Sequence, residues 1–183
     1  MSNNSILELV STSASSFFSK KLGLDVNISY INENAIKQWN MNWRNSPDRE
    51  QRKKPNGGWD WAELRRCYYY KKLKYAPQRR IDMAIWNGEQ LCGLVLGEAH
   101  KTADYVAIDY VEGAPVKNLL KGHILDIAIK SVEQYAILVK KSEIRLIDPV
   151  DGLFEYYKMM GFKYIGDATP HYFSSQVNEV TLS

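Results

Sequence analysis

The sequence predicts an α/β fold: a mixed, mostly antiparallel twisted sheet with a parallel pair at its centre and helices on both faces. Three observations predict it. Two strand-like runs meet at Asn87-Gly88, the preferred pair for a type I′ hairpin turn, which makes antiparallel neighbours. A long helical pattern at 115–141 lies between strand-like runs at 105–113 and 143–148, which makes a parallel pair with a crossover helix. The 183 residues, 45% hydrophobic and 12% aromatic, suffice for one domain with a full core, and neither an internal repeat nor a second core is visible.

The elements follow in chain order. SILELVSTSASSFFSKKL (5–22) puts Ile6, Leu9, Val10, Ala14, Phe17, Phe18 and Leu22 on one helical stripe, with a serine-rich polar face. DVNISYI (25–31) alternates Val26, Ile28 and Tyr30 as a strand does. ENAIKQWNMNW (33–43) reads as a helix. NSPDREQRKKPNGG is a charged Pro/Gly loop, and WDWAELRRCYYYKKLKYA is a helix that ends before Pro77. RIDMAIWNGEQLCGLVLGEA (80–99) is the hairpin, and YVAIDYVEG a third run. The long helix begins at about 118 and repeats Leu120, Ile124, Ile127, Ala128, Val132 and Tyr135 at helical spacing. EIRLID is a short strand. DGLFEYYKMM is a helix stopped by Gly161, and FKYIGD and HYFSSQV are two final strands. An exposed final strand would offer an edge to a second copy, and hence a homodimer.

Charge is unevenly placed. The chain carries +3 overall, but Arg44–Arg80 holds twelve Lys or Arg against four acids, a local net of +8. Such asymmetry points to a polyanionic partner or a phosphate-rich cofactor. No run of about 18 apolar residues spans a membrane. The start of the chain lacks a secretory pattern, and Cys67 and Cys92 lack metal-type spacing, so a cytoplasmic protein with reduced thiols and no metal site is expected.

The start of the long helix is the first place for chemistry. Free N–H groups there, with the helix dipole behind them, attract an anion, and KNLLKG (117–122) adds two lysines and a glycine. The second place is EYYKMMGF (155–162), where Tyr156 and Tyr157 precede a Gly-Phe pair. Tyr156 points about 100° away from Tyr157 around the helix and is expected in the core. Glu112 and Asp109 lie three apart near the end of the third run, and a period of two sets them on opposite sides of the sheet.

In these motifs and in its element order, over nearly the whole chain after the first helix, the sequence resembles the Gcn5-related N-acetyltransferase superfamily. Lys117, Leu120 and Gly122 stand at the positions of its pyrophosphate motif, Gln/Arg-x-x-Gly-x-Gly/Ala; Leu120 replaces a glycine. Tyr157, Gly161 and Phe162 match its Tyr-x-x-x-Gly-Phe, preceded by Pro149, while Val150 stands where the family often has asparagine. The resemblance implies a single domain over 1–183: an N-terminal helix (1–22), a variable, basic acceptor-side region (32–78) and a cofactor-binding core (79–183). It implies acetyl-CoA as cofactor, contacted by Tyr110, Val111, Lys117, Asn118, Leu119, Leu120, Lys121, Gly122 and His123. It further implies direct attack of an amine on the acetyl thioester. Tyr157 would then be the acid to the leaving thiolate, and Glu112, with Asp109 as the other candidate, the base. The N–H groups of Val111 or Glu112 would hold the developing oxyanion.

The acceptor is open: a protein amine, a small amine or an aminoacyl-tRNA. Trp59, Arg52, Lys53 and Lys54 are candidate acceptor contacts, because bases beside aromatics suit RNA through phosphate contact and stacking. A basic entrance disfavours a cationic acceptor. A catalytically inactive fold of the same kind, binding protein or nucleic acid, is the alternative that Leu120 and Val150 support.

Overall fold

The computed structural model describes residues 3–47, 58–69, 76, 79–149, 151–168 and 170–177. Helix α1 (Asn3–Leu22) is followed by β1 (Val26–Ser29) and α2 (Glu33–Gln38), which runs into a π-helical turn at Trp39–Trp43. Then come α3 (Trp61–Cys67), the strands β2 (Arg80–Asn87), β3 (Gln90–Ala99) and β4 (Tyr105–Gly113), and the long helix α4 (Ile124–Leu138). Strand β5 (Glu143–Ile147), a 3₁₀ turn at Asp151–Leu153 leading into α5 (Phe154–Met159), β6 (Lys163–Ile165) and β7 (Tyr172–Gln176) complete the order. This is the order that the periodicities predict.

The strands form one sheet in the order β1-β2-β3-β4-β5-β7-β6. Every pair is antiparallel except β4–β5. One face is covered by α1, α4 and α5, through Leu7, Val10, Ala14, Phe18, Ile127 and Tyr157. The other is covered by α2, its π-turn and α3, through Ala35, Trp39, Trp43 and Trp61. The tryptophans of the basic region are therefore largely core. On α1 the buried stripe is Leu7, Val10, Ala14 and Phe18; Leu9 and Phe17 lie outside it, about half exposed, as the helix rolls toward Leu7.

The serines of α1 have a specific task. Ser19 Oγ accepts from Val26 N at 3.0 Å and donates to Val26 O at 3.0 Å, and Ser15 Oγ accepts from Ile28 N at 2.9 Å. Four residues of helix rise about 6 Å. Two residues of strand rise about 6.6 Å. Serines at i and i+4 therefore match strand amides at j and j+2. The outer edge of β1 is capped by the helix instead of standing open to another chain.

Three local features differ from the sequence expectation. The hairpin turn is Gly88-Glu89, and its positive φ falls on Gly88 alone, the pattern of type II′ rather than I′. The long helix starts at Ile124, not about 118, because 117–123 is a turn in which Gly122 takes φ +89°. The final strand β7 is paired on both sides, so the sheet edge is the short, exposed β6. Gly161 takes φ +88° and ends α5 as predicted. Cys67 and Cys92 are free thiols, and no helix among the described residues is long and apolar enough to cross a membrane.

Candidate active site

The site begins with an irregularity in β4. Leu96 faces Tyr110, but Gly97 faces Ile108, so Asp109 is an extra residue in β4. The bulge needs a bare partner strand: a Cβ on Gly97 would collide with the Ala107 carbonyl oxygen. It also resets the alternation of β4. Asp109 and Glu112, expected on opposite sides, both reach α3, Glu112 at its start and Asp109 just past its end. Glu112 Oε2 accepts from Trp61 Nε1 at 2.6 Å and from Trp59 N at 3.2 Å, and the Tyr68 hydroxyl donates to Asp109. Glu112 is 5% exposed, so it is not a solvated strand end.

Past the bulge the sheet opens. The parallel ladder runs from Tyr105–Glu143 to Ile108–Leu146 and stops, while β4 continues to Gly113. The gap is a cleft of about 470 Å³. Its walls are β4 from Ile108 to Gly113, the end of β5 with Asp148 and Pro149, the first turn of α4 at Ile124 and Leu125, and Tyr157. Gly58 and Trp59 also line the cleft. A second cavity of about 750 Å³ lies toward α3, lined by Leu64, Cys67 and Tyr68, and it shares Trp59, Asp109, Tyr110, Ile147 and Asp148 with the cleft. The opening is therefore reached from both faces of the sheet.

Tyr157 is the buried tyrosine of the pair, 4% exposed, with its ring 5.1 Å from that of Phe173. Tyr156, expected in the core, is only partly buried. Burial, helped by Tyr156, pushes the Tyr157 hydroxyl up to about 12. Burial and Asp109 likewise raise Tyr68, so both hydroxyls are donors at neutral pH.

The turn expected to bind an anion stands beside the cleft, not in it. Val111 and Tyr110 line the cleft; none of Lys117–His123 does. Those residues form the turn that leads into Ile124. Lys117, Leu119, Lys121, Gly122 and His123 are exposed, and Asn118 is half-buried with its Nδ2 on the Val116 carbonyl. Leu120, which replaces the family glycine, is fully buried in the core behind the loop. His123 is the N-cap of α4 and makes no side-chain capping bond. The first-turn N–H groups of α4 have no partner within the helix. Arg52, Lys53, Lys54 and Val150 lie outside the described residues.

Sequence reasoning missed Asp148, and it read Trp61 and Tyr68 only as aromatics of the basic region. Asp148 sits at φ +48° just past β5, and its signal was the Asp-Pro pair at a strand end. Trp61 and Tyr68 pair with carboxylates 51 and 41 residues away, and no local pattern announces that.

No family model and no curated protein matches the sequence. Solved structures do. RimJ of Mycobacterium smegmatis, in complex with CoA-disulfide, superposes with a TM-score of 0.62 at 13% identity, over 88% of this chain and 87% of that one. The PaiA N-acetyltransferase of Thermoplasma acidophilum, in complex with coenzyme A, gives 0.54 at 12% identity over 82% and 98%. The ribosomal-protein-S18-alanine N-acetyltransferase of Escherichia coli gives 0.54 at 9% identity over 86% and 99%. With its parted β4–β5 pair and bulged β4, the chain has the fold of the Gcn5-related N-acetyltransferases.

Proposed function

We propose that this protein is an acetyl-CoA-dependent N-acetyltransferase. The observation that carries the reading is Tyr157: its buried ring lines a cleft bounded by the parted strands and by the first turn of α4. The cofactor's phosphates suit the turn before α4. Gly122 adopts a left-handed conformation with open space around it, Leu120 is turned away into the core, and Lys117 and Lys121 are exposed. Asn118, Leu119 and His123 would flank the phosphates, and Tyr110 and Val111 the pantetheine arm.

When bound, acetyl-CoA supplies an activated acyl carbon, so that a C–N bond forms as the C–S bond breaks. In that cleft Tyr157 would face the sulfur. Burial raises the Tyr157 hydroxyl to about 12, above the ordinary thiol range, so its proton stays on oxygen. Tyr157 therefore acts as a hydrogen-bond donor to the sulfur as its charge grows. Asp109, which borders both cavities, takes the amine's proton directly or through water. Glu112 holds Trp59 and Trp61 in place from below and positions the acceptor wall.

The test is thiol release from acetyl-CoA with a panel of primary amines. Asp109→Asn lowers kcat at least tenfold for every accepted amine, while Glu112→Gln acts chiefly on stability. An unchanged kcat for Asp109→Asn removes Asp109 as the base. No amine-dependent thiol release removes the acetyltransferase reading.

A further inference from the structure

We infer that the cavity on the α3 side takes a cationic acceptor: a primary amine carrying positive charge beyond the nitrogen that is acetylated, held by Asp148 and by the ring faces of Trp59, Tyr68 and Tyr110. This rests on the acetyltransferase reading and names the substrate class of that same site.

Three observations point the same way. First, among its described lining residues the cavity has two carboxylates, Asp109 and Asp148, and no Lys or Arg. The described guanidinium groups of the basic segment are already matched with acids: Arg44 with Asp60 (4.0 Å), Arg65 with Glu33 (2.8 Å), Arg66 with Glu63 (2.5 Å), Arg79 with Glu98 (2.9 Å) and Arg80 with Asp82 (2.8 Å). Those five guanidinium groups are thus directed at acids outside the cavity lining.

Second, three aromatic rings meet there nearly at right angles. Trp59 and Tyr110 are 4.8 Å apart at 78°, and Tyr68 and Tyr110 are 6.1 Å apart at 80°. Aromatic rings that line one space beside carboxylates suit an ammonium or alkylammonium chain.

Third, the two carboxylates differ. Asp109 is engaged by the Tyr68 hydroxyl beside the cleft. Asp148 belongs to both cavities, its side chain is 72% exposed, and His171 Nε2 stands 3.6 Å away. A non-glycine residue at φ +48° is uncommon and marks functional sites more often than chance. The carboxylate is accessible to a charge arriving from solvent while the reacting nitrogen is near Asp109.

The experiment uses the full chain. Calorimetric titration with acetyl-CoA comes first, then acetylation of four acceptors: an aliphatic triamine, a length-matched monoamine ending in a hydroxyl, a peptide with two neighbouring lysines, and an aminoacylated RNA. We expect kcat/KM for the triamine or the dilysine peptide to exceed that for the hydroxyl-ended monoamine at least tenfold. Whichever of the two is preferred identifies the source as a free polyamine or a protein lysine. Asp148→Asn, which tolerates the left-handed backbone, removes most of that ratio by raising KM about fivefold, and Asp148→Lys does so more strongly. Titration of the triamine alone, without acetyl-CoA, weakens about fivefold in Asp148→Asn and gives a readout independent of turnover. Preference for the hydroxyl-ended amine or the aminoacylated RNA overturns this inference, as does an unchanged KM in both variants. Acetyl-CoA binding with turnover of only uncharged or anionic acceptors sinks this inference alone. Absence of acetyl-CoA binding sinks the acetyltransferase reading, and this inference with it.

Discussion

Replacing Tyr157 by phenylalanine removes one oxygen and keeps the ring. The ring is 4% exposed and packs 5.1 Å from Phe173, so the core contacts survive. No described residue accepts a hydrogen bond from the Tyr157 hydroxyl, so its loss changes folding stability by less than about 1 kcal/mol. The effect on chemistry is larger. A hydrogen bond to a charged atom contributes about 1.5–3 kcal/mol. If the bond to sulfur forms fully only as the C–S bond breaks, kcat falls about 10- to 150-fold. The KM for acetyl-CoA changes by no more than about threefold, because the ground state loses little. The assay is thiol release at saturating amine between pH 6 and 9.5. Because burial pushes the hydroxyl up to about 12, the wild-type rate shows no loss from Tyr157 ionisation across this range. A variant within twofold of wild type would refute the reasoning. So would a wild-type ionisation near 10 that disappears in the variant.

Three further outcomes follow from the fold. Gly97→Ala drives a methyl group into the Ala107 carbonyl oxygen at the bulge; a loss of about 3 kcal/mol or more is expected in urea unfolding, and a loss under 1 kcal/mol would mean that the bulge does not need glycine. Ser15→Ala and Ser19→Ala each remove a cap from β1 and leave its amides without their partners, at about 1 kcal/mol apiece; wild-type stability in the double variant would show that the helix does not hold that edge. Burial raises the Glu143 carboxyl, but hydrogen bonds from Arg145 and Ser174 outweigh it and hold the group below its ordinary value. A lowered folded value gives stability that is fully present above the ordinary carboxylate range and is lost as pH falls through the folded value. Glu143→Gln is therefore less stable than wild type at pH 7, and the gap closes below about pH 4. A gap that is constant from pH 7 to pH 3 would contradict the assigned partners.

Much of this was legible because periodicity reports burial. Ile127, Ala128, Val132 and Tyr135 repeat at helical spacing, and all are buried. The strands around the long helix had to be parallel once that helix was recognised, and the parting of β4 and β5 follows from their pairing. The motif tyrosine, Tyr157, lines the cleft. What escaped was set by tertiary contact. The bulge at Asp109 depends on Gly97 in another strand, so a period of two put Asp109 and Glu112 on the wrong sides of one another. Tyr156 and Tyr157 have the same helical propensity; only the approach of Phe173 and the cleft decides which is buried. The α4 start was misread because Leu119 and Leu120 continue the apolar pattern, whereas Gly122 turns the backbone out of the helix. Leu120 looked like damage to a phosphate loop, yet its side chain belongs to the core on the other side of that backbone. The two carboxylates that line the cavity beside α3, Asp109 and Asp148, were hidden by the basic composition of the segment that borders it.

The central claim is that the turn before α4 and the cleft beside it hold acetyl-CoA. Calorimetric titration of the purified protein with acetyl-CoA tests it most directly. One site per chain with micromolar affinity is expected, weakened at least tenfold when Lys117 and Lys121 are both replaced by glutamate. No heat of binding at millimolar acetyl-CoA, or binding indifferent to those two charges, would contradict it.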